Sequence, residues 1–189
     1  MSVAELAREA RRVLDFWFGP APGQKRDVWF RKDAVFDSLI RDRFLDLHGR
    51  AAAGKCDAMA ADAKGSLALI VVLDQFSRNL YRDSPQAFAC DGRALGLARQ
   101  ALARGFDRGL PDVERVFLYL PFEHAEDAAV QAESVALFAT VPDERTQRFA
   151  RRHQEIVERF GRFPHRNAAL GRVSTEEELA FLREPESSF

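Results

Sequence analysis

The chain has 189 residues, 47% of them hydrophobic and 30% charged, with a formal net charge of −1. That length suits one domain with its own core and is short for two. The near-zero net charge removes any overall electrostatic case for nucleic acid or an anionic membrane as a partner. Positive charge is mostly arginine, with lysine only at 25, 32, 55 and 64. A guanidinium fork suits carboxylates and phosphates, although genomic base composition is the plainer account of the excess as a whole. Two cysteines, Cys56 and Cys90, occur without a CxxC pair. This argues for a reducing compartment and against a disulfide scaffold or a Cys-based zinc site. The expected location is therefore cytoplasmic.

Residues Val3 to Phe18 place Val3, Leu6, Ala10, Val13, Leu14 and Trp17 at helical spacing. This is an amphipathic helix rather than a signal peptide, since no uninterrupted apolar stretch follows its charges. Gly19-Pro20-Ala21-Pro22-Gly23 stops it. After Trp29-Phe30, Asp33 is the expected N-cap of a helix to about Ala53, with an apolar stripe of Val35/Phe36, Leu39/Ile40, Phe44 and Leu47. Next comes a helix over Gly65 to Tyr81, opened by the apolar run Leu67 to Leu73. A bilayer takes about 20 apolar residues, so this run is a buried core segment and no membrane is implied. In isolation LALIVVL also reads as a strand, but it has no strand partners.

Ser84-Pro85 predicts a helix start with proline at its first position, running to Arg104 and closed by Gly105. Pro111 starts another, which Pro121 is expected to kink or break. One apolar face then continues to about Phe138. Val141-Pro142-Asp143 restarts the chain in a helix to Phe160, and a turn-rich stretch covers Gly161 to Arg172. Ser174 with Glu177 fits a capping box for a last helix to about Leu182. The expected organisation is one all-α domain over residues 1–184, built from seven or eight helices in stacked αα-hairpins, with a loose tail at 185–189. No clean internal repeat is visible.

Three segments break the pattern of solvated helices. In DQFSRN at 74–79, Asp74 and Arg78 extend the face of Leu67, Ile70 and Val71, where an unpaired charge costs several kcal/mol. An i,i+4 ion pair accounts for them simply, and Gln75 with Asn79 forms a second such pair. In PFEHAED at 121–127, Glu123, His124, Glu126 and Asp127 have the makings of a general base or a divalent-ion shell; a solvated acidic face is the plainer reading. In the third, His153 lies on the stripe of Phe149, Ile156, Val157 and Phe160, as a hydrogen-bonded core histidine would. Beyond it Arg159, Arg162, His165, Arg166 and Asn167 surround Phe160 and Phe163. The phenylalanines pin that turn, and its cations are placed to hold phosphate or carboxylate or to pair with the acids of the second segment.

DQFSRN, PFEHAED and RFGRFPHRN at 159–167 resemble the signature segments of an uncharacterised bacterial family, domain of unknown function 924. VLDFWFG, the Trp29-Phe30 pair and FARRHQEIVERF at 149–160 resemble it too, so the likeness runs from about residue 12 to 183. It implies an all-α fold similar to the right-handed array of tetratricopeptide-repeat (TPR) proteins, and it brings no established activity. The chain lacks the W-x2-L-G-x2-Y consensus of true TPRs.

Two functions follow as expectations. In the first, the three segments converge on a pocket for a small anion. Asp74, Gln75, Arg78 and Asn79 would line one wall, with His153, Arg162, Arg166 and Asn167 on another. Glu123, His124 and His165 would supply any acid/base chemistry. Neither a cofactor nor a metal is expected, because the arginines repel a cation. In the second, a concave helical surface holds a peptide through exposed aromatics such as Trp17, Trp29 and Tyr119, and the polar segments only fix helix packing. Oligomeric state is not legible.

Overall fold

In the computed structural model, residues 2–20 and 23–188 are described. Ala21 and Pro22 of the expected helix stop, and Phe189 of the expected tail, lie outside them. Among the described residues, eight helices account for the architecture: α1 Val3–Phe18, α2 Ala34–Ala52, α3 over 63–80, α4 Asp91–Ala103, α5 Asp112–Glu123, α6 Ala128–Phe138, α7 Glu144–Phe160 and α8 Glu176–Phe181. The described residues contain no strand, and no helix among them is long and apolar enough to cross a membrane.

Local chemistry sets most boundaries. Side chains of Ser2, Asp33, Asp62, Asp127, Asp143 and Thr175 each accept a hydrogen bond from a first-turn backbone N–H, satisfying donors a helix start leaves orphaned. Gly161 ends α7 in the left-handed conformation at φ 70°, which glycine adopts without strain.

The central element is α3, which packs against α1, α2, α4 and α5. Residues 65–77 are all buried. Leu67, Leu69, Ile70, Val71, Val72 and Leu73 have no exposure at all, and burying each stabilises the fold by about 1.5–3 kcal/mol. A regular helix is expected here, but only Ala63–Ile70 and Ser77–Leu80 are α-helical, with a π-helical turn at Val71–Phe76 between them. Widening a helix strains its backbone hydrogen bonds. Side chains help to compensate: Ser77 Oγ donates to the Leu73 carbonyl at 2.6 Å and Arg78 Nη1 to the Asp74 carbonyl at 2.8 Å.

Against α3 sits an aromatic cluster in which Trp17 touches Trp29, Phe36, Phe76 and Phe117. Trp29 Nε1 donates to the Trp17 carbonyl at 2.9 Å. A smaller apolar cluster of Ile156, Val157, Phe163 and Phe181 joins α7 to α8. Trp17, Trp29 and Tyr119 are all buried, so the aromatics expected to be exposed are core residues.

Several boundaries differ from expectation. Residues 84–104 are not one helix: Pro85–Ala87 form a single 3-10 turn and α4 starts at Asp91. Ser84 caps nothing because its hydroxyl donates to the Tyr81 carbonyl. Pro121 breaks nothing; α5 runs through it to Glu123, flanked by the buried Leu120 and Phe122. The interruption comes at 124–127, so the face expected to run on to Phe138 belongs to two helices. Thr175 with Glu178, rather than Ser174 with Glu177, makes the last capping box, because the Ser174 hydroxyl accepts from Asn167. On α2 only Phe36, Ile40, Phe44 and Leu47 of the stripe are buried, while Val35 and Leu39 face outward. After Pro185, Glu186 pairs with Arg148 and Ser187 is buried.

Candidate functional site

The π-helical turn of α3 carries Asp74, which is wholly buried. Its Oδ1 lies 2.7 Å from His124 Nδ1 and its Oδ2 accepts from Gln75 Nε2 at 2.6 Å. His124 stands at the C-cap of α5, so the break after Glu123 is what turns the imidazole toward α3. Arg78 lies one turn beyond Asp74, and its Nη1 is 3.5 Å from Asp74 Oδ1. Its stronger partner is Asp91, the first residue of α4, gripped by both guanidinium nitrogens at 2.9 and 3.0 Å. Asp91 Oδ2 also takes Arg166 Nη1 at 3.2 Å.

Arg166 comes from the 3-10 turn Pro164–Arg166 after α7. Its guanidinium is held between the rings of Phe88 and Phe163, 4.7 Å from each centroid. The residue is only 6% exposed, and its buried Nε has no hydrogen-bond partner among the described residues. His153 donates from Nδ1 to the Phe149 carbonyl at 2.9 Å, with Glu123 Oε1 at 3.4 Å. It also meets Phe163 edge-on, and Phe163 lies against His165. Asp74, Gln75, Arg78, Glu123, His124, His153, His165 and Arg166 thus form one cluster.

Other candidate residues point elsewhere. Asn79 donates to Asp37 rather than pairing with Gln75. Arg162 forms a fork on Glu178, and Asn167 bonds to Ser174, Glu178 and Arg172. These contacts anchor the turn to α8. Arg172 in turn grips Glu126 with two nitrogens, and Glu126 accepts the Phe163 N–H at 2.7 Å. Asp91, Phe88 and Arg172 carried no signal in the sequence; an acid opening a helix reads as a favourable helix-end charge. Ser77, outside the expected site, has His48 Nε2 2.8 Å from its hydroxyl, both of them buried. Among the described residues, no group of three or more His, Cys, Asp or Glu is placed to hold a metal ion. Two surface hollows, one lined by Arg99, Leu102 and Phe122 and the other by Asp37, Arg41 and Arg82, are lined by neither His124 nor Arg166.

Burial and charge set the protonation states. Burial pushes the Asp74 carboxyl upward, but His124 and Arg78 outweigh it and hold the group well below the usual carboxylate range. Burial, with the Asp74 charge adding to it, raises Glu123 to about 8. Burial lowers His153 and His165 to about 3 each, and lowers Arg166 to about 10 with help from Arg78. His124 is also lowered by burial, against the pull of Asp74. Near neutral pH, therefore, an ionised Asp74 faces a neutral His124 whose Nδ1–H it accepts. Glu123 is protonated.

The raised Glu123 pKa has a thermodynamic consequence. Between about 4.5 and 8 the unfolded carboxyl ionises while the folded one keeps its proton, so stability is full at low pH and falls as pH rises. Each unit costs up to about 1.4 kcal/mol. Depressed His153 and His165 act oppositely, losing stability as pH falls from about 6.5 toward 3. Glu123→Gln should flatten the alkaline decline in melting temperature between pH about 5.5 and 8. An unchanged slope would show that Glu123 is ionised in the folded protein.

The family model described as bacterial protein of unknown function (DUF924) matches residues 13–186. The chain belongs to this family. All three polar segments lie inside the matched region. A solved structure titled "Structure of Protein of Unknown Function ATU0120 from Agrobacterium tumefaciens" is similar at 43% identity and a TM-score of 0.86, over 94% of this chain and 98% of that one. No curated protein matches the chain. Membership of the DUF924 family thus gives an all-helical fold and no activity.

Proposed function

We propose that this protein binds a small anion, bearing phosphate or carboxylate, at the Arg166 turn, with Arg78 and His124 completing the site. The observation that carries this is the Arg166 guanidinium. It is buried between two rings and bonds to Asp91, and its Nε has no partner among the described residues. A buried charge is expensive unless its donors are satisfied, and a planar fork is matched best by an oxyanion. Acid/base chemistry on the ligand would fall to His124, because Asp74 fixes its Nδ1–H and leaves Nε2 as the proton acceptor.

The periphery supports a second reading, a closed packing network, through the pairing of Arg162, Asn167 and Arg172 with Glu178 and Glu126. A TPR-like stack that binds peptide draws less support, since its aromatic anchors are buried. Both cysteines are free and buried, which fits work in a reducing cytoplasm.

Thermal unfolding with inorganic phosphate, phosphorylated metabolites and dicarboxylates tests the reading. Ligand at 100 times its Kd contributes about 2.7 kcal/mol, or about 5–11 °C in a chain of this size. Arg166→Ala should abolish the shift. A shift retained in a folded Arg166→Ala protein rules out this anion site, and loss of folding in that variant favours the packing network.

A further inference from the structure

We infer that this site takes up its anion together with one proton, which His124 receives on Nε2. The inference rests on the anion-binding reading above and adds the form in which the ligand is held. It starts from a count of charges in direct contact. Asp74, Asp91 and Glu126 face Arg78, Arg166 and Arg172. Three carboxylates against three guanidiniums leave the centre neutral, and an arriving anion makes it negative by its full charge. In a water-poor cluster such an imbalance is costly. A proton from solvent is the simplest compensation.

Geometry selects the receiving group. Three imidazoles belong to the cluster, and His124 has the ionised Asp74 carboxylate 2.7 Å from its Nδ1. Protonation at Nε2 leaves the Nδ1–H on Asp74 in place and turns a dipolar contact into an ion pair. His153 faces Glu123, which keeps its own proton, so a second charge there gains little. His165 adjoins Arg166 and feels that cation first after burial itself.

The charges around His124 come from every packed element. Helix α3 supplies Asp74 and Arg78, α4 supplies Asp91, and α5 with its following loop supplies Glu123 and Glu126. His153 comes from α7, His165 and Arg166 from the 3-10 turn, and Arg172 from beyond it. Without an anion, burial and Arg78 keep the ring neutral against the pull of Asp74. An anion on Arg166 offsets the cations and leaves Asp74 to dominate. The proton balance is simple: one proton leaves solvent, and none leaves the ligand.

Inorganic sulfate is the probe, because its own charge is constant across the range tested. Sulfate affinity, measured by calorimetry between pH about 5.5 and 7 in buffers of different ionisation enthalpy, below the range where Glu123 ionises, should fall about tenfold per unit rise in pH, with uptake of about one proton per sulfate. His124→Asn keeps a donor for Asp74 and should bind weakly with no pH slope. In the unmodified protein, the 15N resonances of the His124 ring should move to imidazolium values when sulfate is added. That measurement decides the matter if the variant does not fold. A pH-independent affinity without proton uptake, a slope that survives in His124→Asn, or a ring that stays neutral overturns the inference and leaves anion binding standing. Failure of sulfate to bind at any pH removes both.

Discussion

Gly65→Ala should cost the protein about 3 kcal/mol or more of stability, although alanine is the better helix former by about 1 kcal/mol. A Cβ on Gly65 would lie 1.8 Å from the Met59 carbonyl oxygen and 2.9 Å from its carbon. No flexible side chain is in the way to yield; the obstacle is backbone. Met59 is buried, and the turn that carries it, Asp57–Ala61, packs on α1 as well as α3. Either that turn lifts off the central helix or the helix moves. Ordinary overpacking costs about 1–3 kcal/mol, and this contact belongs at or above the top of that range. Three kcal/mol corresponds to a fall of about 6–12 °C in a chain of this size. Gly96→Ala is the control: nothing lies within 4 Å of its added Cβ, so a gain of about 0.4–1 kcal/mol is expected. Equal melting temperatures for the two variants would show that the turn does not rest on Gly65.

Asp74→Ala comes next in size. Asp74 is the acceptor for His124 and Gln75 and a charge partner for Arg78, all without exposure of its own. Breaking a buried pair by removing one partner costs about 3–5 kcal/mol. Asp91 still holds Arg78, which keeps the loss toward the lower figure. Asp74→Asn preserves shape and one acceptor oxygen but directs an amide N–H at donors, so it should recover only part of the loss. Denaturant unfolding of both variants at neutral pH measures this. A change below about 1 kcal/mol in Asp74→Ala would mean that water replaces the carboxylate and that the cluster is wetter than its burial implies.

The sequence was most informative where apolar periodicity and end-capping act together. Val3–Phe18 opens with the Ser2 and Glu5 capping box and stops at Gly19, and the helix after Asp33 follows the same logic. The periodicity, the Gly19 stop and the Asp33 cap are local signals and were readable, whereas the Ser2 and Glu5 box emerges only in the structure. The start of α4 was not, because Ser84 had two possible partners and chose the Tyr81 carbonyl. In the polar cluster, Asp74 and Arg78 could be picked out because they extend an apolar face, Glu123 and His124 because acids and a histidine gather after Pro121, and Arg166 because cations surround two phenylalanines. Their partners could not. Asp91 is an unremarkable first-turn acid until the fold brings Arg78 and Arg166 to it across 13 and 75 residues. Glu178 likewise claims Arg162 and Asn167 for packing. Which of two acids an arginine reaches depends on tertiary geometry, which periodicity does not encode.

The π-helical turn at Val71–Phe76 acts as a phase slip in the middle of the longest buried rod. One residue more than an α-helix needs is taken up there, so everything after it is rotated by about 100° relative to a regular helix. The apolar half of α3 and its polar half are therefore indexed separately: the first to α1 and the Met59 turn, the second to α2, Asp91 and the arginine turn. Two surfaces that one continuous helix would have set in a single fixed relation are free to answer to different neighbours.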